Sequence, residues 1–352
     1  MSSDHQRQED NSRVKNTDLY TAVHFGNLEL VTRLLNHGAN VNIRGGEFGY
    51  PLHMATLAGY RQIVRLLLDN GADVDAQGGY YCYALQAAAS SPFASIVLQL
   101  LDKGADVNAQ GGHYGNALQA AATTQNTAMV SLLLERGANI DAKGGHYGPA
   151  VQAAAFTGVL ETASLLLDRG ANINTQYGLY GNALQAAIAR CTNNRGHDNA
   201  IVRLLLNSGA NHRAEGGKLH NALYAAAYTF NKTAALMLVE RGANVYDHGG
   251  KAAHAALAGQ DLQMVVLLVV NGANINHDAG DNGSLLHHAA ANGDQAIVRF
   301  LIEHGANVNQ LGGIYGSPLD AALKRGHQEV ARILAESGAV EPNCCALHKP
   351  VC

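Results

Sequence analysis

Tryptophan is absent from the 352 residues, aromatic residues make up only 6%, and charged residues only 15%, where ordinary domains carry about 25%. Proline occurs 6 times, and without a Gly-x-y triplet period the 39 glycines do not make a collagen-like chain. The 5 cysteines are too few for a disulfide framework. No run of about 18 uncharged apolar residues occurs, so no membrane span is expected. The opening MSSDHQRQEDNSRVKN has no apolar stretch, so no secretory signal is expected. Lys and Arg number 24 against 28 Asp and Glu, and no basic stripe is present, which argues against direct binding of nucleic acid. Against these absences stands a 47% hydrophobic content with a net charge of only −4, enough to bury a core rather than stay disordered. A soluble protein of the cytoplasm, the nucleus or both is expected.

The glycine excess has a period. Gly-Ala recurs at Gly38, Gly71, Gly104, Gly137, Gly170, Gly209, Gly242, Gly272, Gly305 and Gly338, spaced 33 residues apart except for one interval of 39 and one of 30. Each Gly-Ala closes a Leu-rich run such as IVRLLLDN or MVSLLLER. A polar strip follows, such as DVNAQ, then in most copies a Gly-Gly turn, then an Ala-rich segment such as NALQAAA. The unit reads as a glycine turn, a short first helix of small residues, a tight turn, and a second Leu-rich helix. That second helix ends on Gly at C′, where a left-handed conformation suits a residue without Cβ. Runs such as Ala120, Ala121, Ala122 let neighbouring backbones approach, and Leu132, Leu133, Leu134 are buried on more than one side. One unit cannot enclose a core, but stacked units can.

The motif text Tyr50-Pro51-Leu52-His53, Ser317-Pro318-Leu319-Asp320 and Leu285-Leu286-His287-His288-Ala289-Ala290, at this period and in this order, resembles the ankyrin repeat. The likeness covers residues 17–339. The Gly-Gly-x-Tyr-Gly-Asn-Ala-Leu-Gln variant, as at 111–119, looks like the ankyrin arrays of fungal proteins. The resemblance implies an all-α solenoid of about ten helix-turn-helix units of 33 residues, with glycine-rich turns. A single array is expected over 17–340, with an N-terminal cap at 17–39, where Thr17 or Asp18 can cap the first helix, and a charged C-terminal cap at 313–340. A disordered polar tail is expected at 1–16 and a Cys-containing tail at 341–352. The array is least regular over 191–251, where six residues are inserted near CTNNRGHDN and three are lost from a glycine turn. That irregularity reads either as drift in one repeat or as a local partner site or bend.

Arrays of this kind bind through the turn tips and the first helices, so the tips hold the candidate site. Ten residues beyond successive Gly-Ala glycines stand Phe48, Tyr81, Tyr114, Tyr147 and Tyr180. His113 and His146 precede two of them. At a repeat spacing of roughly 10 Å these rings would form a row on the order of 40 Å long. Tyrosine combines apolar area with a polar tip and is favoured at interfaces. The row reads equally as tyrosines packing on the next turn and stiffening the tips. Arg195, His197, His212 and Arg213 in the irregular segment form a secondary candidate.

Other chemistry finds little support. No phosphate loop, HExxH or GxSxG is present. His53, His254 and His287 fall where the family uses imidazole for hydrogen bonds between turns. Cys344, Cys345, His348 and Cys352 lack the paired spacing of a structural zinc site. Cys82 stands where other turns carry Gly. Neither a metal nor a cofactor is expected. The recurring Asn and Asp of the polar strips, such as Asn40, Asn42, Asp73 and Asp75, fit turn hydrogen bonding to the backbone. The expected role is non-catalytic: a monomeric interaction scaffold or adaptor that binds a protein. A transcription coregulator of a biosynthetic gene cluster, acting through a DNA-binding partner, is the alternative. An enzyme or auxiliary protein of secondary metabolism ranks behind both.

Overall fold

The computed structural model describes residues 19–190, 199–245 and 250–340. Thr17, Asp18, Arg195, His197, Cys191, the two tails and the C-terminal Cys/His group lie outside those residues. The described residues form pairs of short helices with no strand between them; isolated antiparallel bridges such as Gly45–Gly49 and Gly111–Gly115 pinch the turns. The chain divides into two compact units. Unit one is Met1–Arg190 with Leu204–Ala210 and Gly216–Lys218, and unit two is the remainder.

A repeat of unit one shows how the sequence builds the pair. Asn116 caps the first helix, Ala117–Ala122, by accepting from the Gln119 amide at 2.8 Å. Asn126 caps the second, Thr127–Glu135, by accepting from the Met129 amide at 3.1 Å. Both satisfy orphan amide groups of a helix start. Ala120, Ala121 and Ala122 are fully buried, and so is Leu133, the central member of its leucine triplet; Leu132 and Leu134 are half-buried.

The Gly-Ala signature has a complete physical account. In the helix Arg61–Asp69, Gly71 takes φ +82°, its amide donates to Leu68 O, and the Ala72 amide donates to Leu67 O at 2.9 Å. This is the Schellman closure, with a left-handed residue at C′ and the next residue returning to the helix. The alanine that follows is buried in most copies, as at Ala105, Ala171 and Ala306.

Two ladders of side chains join one repeat to the next. Asn42 donates to Gly71 O at 3.1 Å and accepts from the Asp73 amide at 2.8 Å. Asn108, Asn276 and Asn309 make the same two-way bridge. The turn bonding expected of the polar strips is present, the Asn42 amide donating to Asn40 Oδ1 at 3.0 Å, and the strips serve in addition as mortar between turns. In the second ladder, Gln119 donates to Ala142 O, Gly144 O and Gly148 O. Gln thus performs at 86, 119, 152 and 185 the inter-turn bonding that His53 makes to Cys82 O and His287 to Gly316 O. His254 departs from this pattern: it pairs with His288, whose Nδ1 lies 3.3 Å from its own.

Candidate partner-binding surface

The tips of unit one carry two adjacent ring ladders. In the first, Tyr81 stacks on Tyr114 at 5.9 Å between centroids, and Tyr114 meets Tyr147 at 6.2 Å. In the second, Tyr80 stacks on His113 at 5.0 Å and His113 on His146 at 5.2 Å. Edge-on contacts such as Tyr80–Tyr114 and His113–Tyr147 tie the two together. The glycine pairs make this possible. A Cβ on Gly79 would sit 2.7 Å from Phe48 O, and one on Gly112 would sit 2.7 Å from Tyr81 O. Only a residue without Cβ lets one tip lie this close to the next. The tips are also bonded backbone to backbone, from the His113 amide to Tyr80 O and from the His146 amide to His113 O at 2.8 Å.

The row differs from its sequence expectation in two ways. Its ring steps are near 6 Å rather than roughly 10 Å, because the tip backbones themselves approach to hydrogen-bonding distance, as from the His146 amide to His113 O. Tyr147 does not reach Tyr180 directly in the ladder: Phe156, on the first helix Ala150–Thr157, stands between them, 5.3 Å from Tyr147 and 4.5 Å from Tyr180. The ring contacts begin at Tyr80 and Tyr81; Phe48 approaches the next tip through its backbone carbonyl.

The surface is partly open and almost uncharged. Tyr80 is 57% exposed, Tyr177 40% and Leu179 38%. His146 is exposed, and Tyr81, Tyr114, Tyr147, Phe156 and Tyr180 are half-buried. The first helices Ala84–Ala89, Ala117–Ala122, Ala150–Thr157 and Ala183–Ala189 contain no Asp, Glu, Lys or Arg, and the tips between 77 and 83, 110 and 116, 143 and 149, and 176 and 182 contain only Lys143. Burial, reinforced by the neighbouring His146, lowers the pKa of His113 and favours its neutral form. Burial raises the phenols of Tyr80, Tyr114 and Tyr180 above their ordinary range, so they stay protonated donors.

The secondary candidates divide. Arg195 and His197 fall outside the described residues. Arg213 stands at the place of the bridging Asn and keeps only half of the bridge, donating to Gly242 O at 3.1 Å. His212 occupies a slot that is Val41, Val74, Val107 and Ile140 in earlier repeats, and its Nε2 is buried without a hydrogen-bond partner. Unit two also carries a smaller ring group unmarked by the tip register: Tyr224, in the place of the bridging Gln, lies 5.2 Å from His220 and 6.0 Å from Tyr228.

Burial raises the Cys82 thiol, the reverse of activation. Among the described residues no group of three or more His, Cys, Asp or Glu is placed to hold a metal ion, and no helix is long and apolar enough to cross a membrane.

With this geometry in view, comparison with known proteins defines the class. A family model described as ankyrin repeats (3 copies) matches residues 3–78, 85–177 and 252–344. The chain belongs to the ankyrin repeat family, whose modules are non-catalytic and typical of protein–protein interaction scaffolds. The stretch between the second and third matches contains the irregular segment anticipated from the repeat spacing. Among solved structures, the crystal structure of the human ASB11 ankyrin repeat domain matches with a TM-score of 0.54 at 24% identity, over 64% of this chain and 98% of that one. That likeness is one of fold. No curated protein matches.

Proposed function

We propose that this protein is an adaptor that holds a protein partner on the turn tips and first helices of unit one. The observation that carries the reading is the pair of ring ladders from Tyr80 to Tyr180, half-open on a face with almost no charge. Stacking supplies rigidity, so the rings lose little freedom when a partner arrives, and rigid tyrosines are economical contact residues. Tip stiffening and partner binding thus coexist. His113 and His146 belong to the same surface, and Phe48 borders it.

A coregulator would use the same face, with a DNA-binding protein as the occupant; nuclear enrichment and loss of target transcripts on deletion would support that version. The direct test replaces Tyr114, Tyr147 and Tyr180 together by Ala. A partner identified by affinity purification from the native cell is then titrated against both proteins. Loss of at least tenfold in affinity with an unchanged helical circular dichroism spectrum is expected. Unchanged affinity in the folded variant refutes the surface.

A further inference from the structure

We infer that Asn282–Gly283, at a turn tip of unit two, is a site of self-modification, where the backbone amide of Gly283 displaces the side-chain amide of Asn282 and the turn ages to aspartate and isoaspartate. The inference stands apart from the ring ladders. The sequence holds four Asn-Gly pairs, at Asn70, Asn271, Asn282 and Asn292. In each, the glycine places no side chain in the way of the attacking nitrogen. The dipeptide is the same in all four, so their place in the fold sets them apart.

Three of the pairs are held in helix ends. Asn70 and Asn271 are the C-caps of the helices Arg61–Asp69 and Leu262–Val270, and their side-chain amides donate back to Leu66 O at 2.8 Å and Leu267 O at 2.7 Å. The attacking amides, those of Gly71 and Gly272, donate to Leu68 O and Val269 O in the closures that end these helices. Asn292 ends the helix Leu285–Asn292; its side chain donates to Leu257 O at 3.1 Å, and the Gly293 amide donates to Ala289 O at 3.1 Å. Reaction at these places requires both groups to be freed and a helix end to unravel.

Asn282 lies instead in the three-residue 3-10 turn Gly280–Asn282. It is exposed, and its side chain makes no hydrogen bond among the described residues. One bond holds the Gly283 amide, to Gly280 O at 2.8 Å. A single bond in a short turn opens more often than the end of a packed helix.

The chemistry balances with water as the co-reactant. The Gly283 nitrogen gives its proton to base and bonds to Asn282 Cγ. The side-chain nitrogen leaves, taking up a proton, as ammonia. Water then opens the cyclic imide. Opening at the side-chain carbonyl gives aspartate, and opening at the main-chain carbonyl gives isoaspartate. The product puts a further carboxylate into a turn that already holds Asp278 and Asp281. The isoaspartyl linkage also lengthens the main chain by one atom. That chain bonds to the next tip: Asp281 O accepts from the Ile314 amide at 3.0 Å, and Gly283 O accepts from the Ala279 amide at 2.9 Å within the turn. Ageing therefore loosens this tip from the one that carries Ile314.

The test uses the full chain, held folded at neutral and at mildly alkaline pH and, in parallel, in denaturant. Peptide mapping by mass spectrometry follows the one-dalton gain at each asparagine, and isoaspartyl methyltransferase labels the isoaspartate. In the folded protein Asn282 is expected to convert at least about tenfold faster than Asn70, Asn271 and Asn292, to convert faster at the higher pH, and to yield isoaspartate. In denaturant the four rates are expected to converge. Hydrogen exchange at the Ile314 amide is expected to accelerate in the aged protein and to stay unchanged in Asn282→Gln held for the same time. Equal rates at the four sites in the folded protein, a spread of rates that persists in denaturant, a product free of isoaspartate, or Ile314 exchange indifferent to ageing overturns the inference.

Discussion

The Nδ1 atoms of His254 and His288 lie 3.3 Å apart, on rings stacked at 16° with centroids 5.6 Å from each other. At that distance only one of the two nitrogens can carry a proton, so one ring donates to the other and the accepting ring is neutral. His254 is 7% exposed, and its Nε2 has no hydrogen-bond partner.

The pair makes unit two acid-sensitive. Burial, with His288 and His277 as like charges when protonated, pushes His254 down to about 4; Asp278 opposes this in part. Burial also lowers His288. The unfolded chain binds these protons near pH 6.5, so it takes them up before the folded protein does. Stability is full above about pH 6.5 and falls as pH drops toward the folded value near 4. For His254 alone the loss between pH 7 and 5 is about 2 kcal/mol. Hydrogen exchange of the amides in Lys251–Ala258 and Leu285–Asn292 should accelerate over that window, after correction for intrinsic rates, and His254→Gln should flatten the dependence.

Cys82 is a strained stand-in for glycine. It takes φ +69° where the same turn position in other repeats has Gly49, Gly115 and Gly148 at φ +88°, +96° and +79°. A side chain in the left-handed region costs roughly 1–2 kcal/mol. Cys82→Gly should therefore raise stability by about 1 kcal/mol after the lost contact of its sulfur beside Gly111 is deducted. Chemical denaturation of the two proteins checks it.

Arg213 interrupts the asparagine mortar. Asn42, Asn108 and Asn276 both donate to and accept from the following repeat. A guanidinium has no acceptor atom. Arg213→Asn should restore the second bond and stabilise unit two by about 1 kcal/mol, whereas Asn276→Ala should cost a comparable amount or more.

His212 places a polar ring in a Val/Ile slot and leaves Nε2 buried without a partner. His212→Val removes that unmet group and should add about 1–2 kcal/mol of stability. A thermal melt that shifts downward instead would show that the imidazole has an unrecognised role there.

What the sequence made legible was whatever obeys the repeat period. Gly71 at left-handed φ and the buried alanines after such glycines follow from local rules about helix ends, so their text alone disclosed them. The tip tyrosines were legible as a register for the same reason. Phe156 was not, because it sits on a first helix at a place held by Thr123 one repeat earlier and Ala189 one repeat later. Its partnership with Tyr147 and Tyr180 depends on how far those rings tilt. The step between rings was overestimated because helix packing sets the spacing of helix axes, whereas the glycine pairs let the tip backbones close to hydrogen-bonding distance. The His254–His288 contact was hidden because its partner stands next to the motif histidine, His287, rather than at it. The lost turn residues before Lys251 break the alignment that would have exposed the exception.

The central claim is that partners dock on the ring ladders of unit one. Hydroxyl-radical footprinting of the full chain, free and bound to its natural partner, measures this most directly. The account expects protection of Tyr80, Tyr81, His113, Tyr114, His146, Tyr147 and Tyr180, with Phe156 following and the second helices unchanged. Protection confined to the second helices or to unit two, with those rings as reactive as in the free protein, would contradict it.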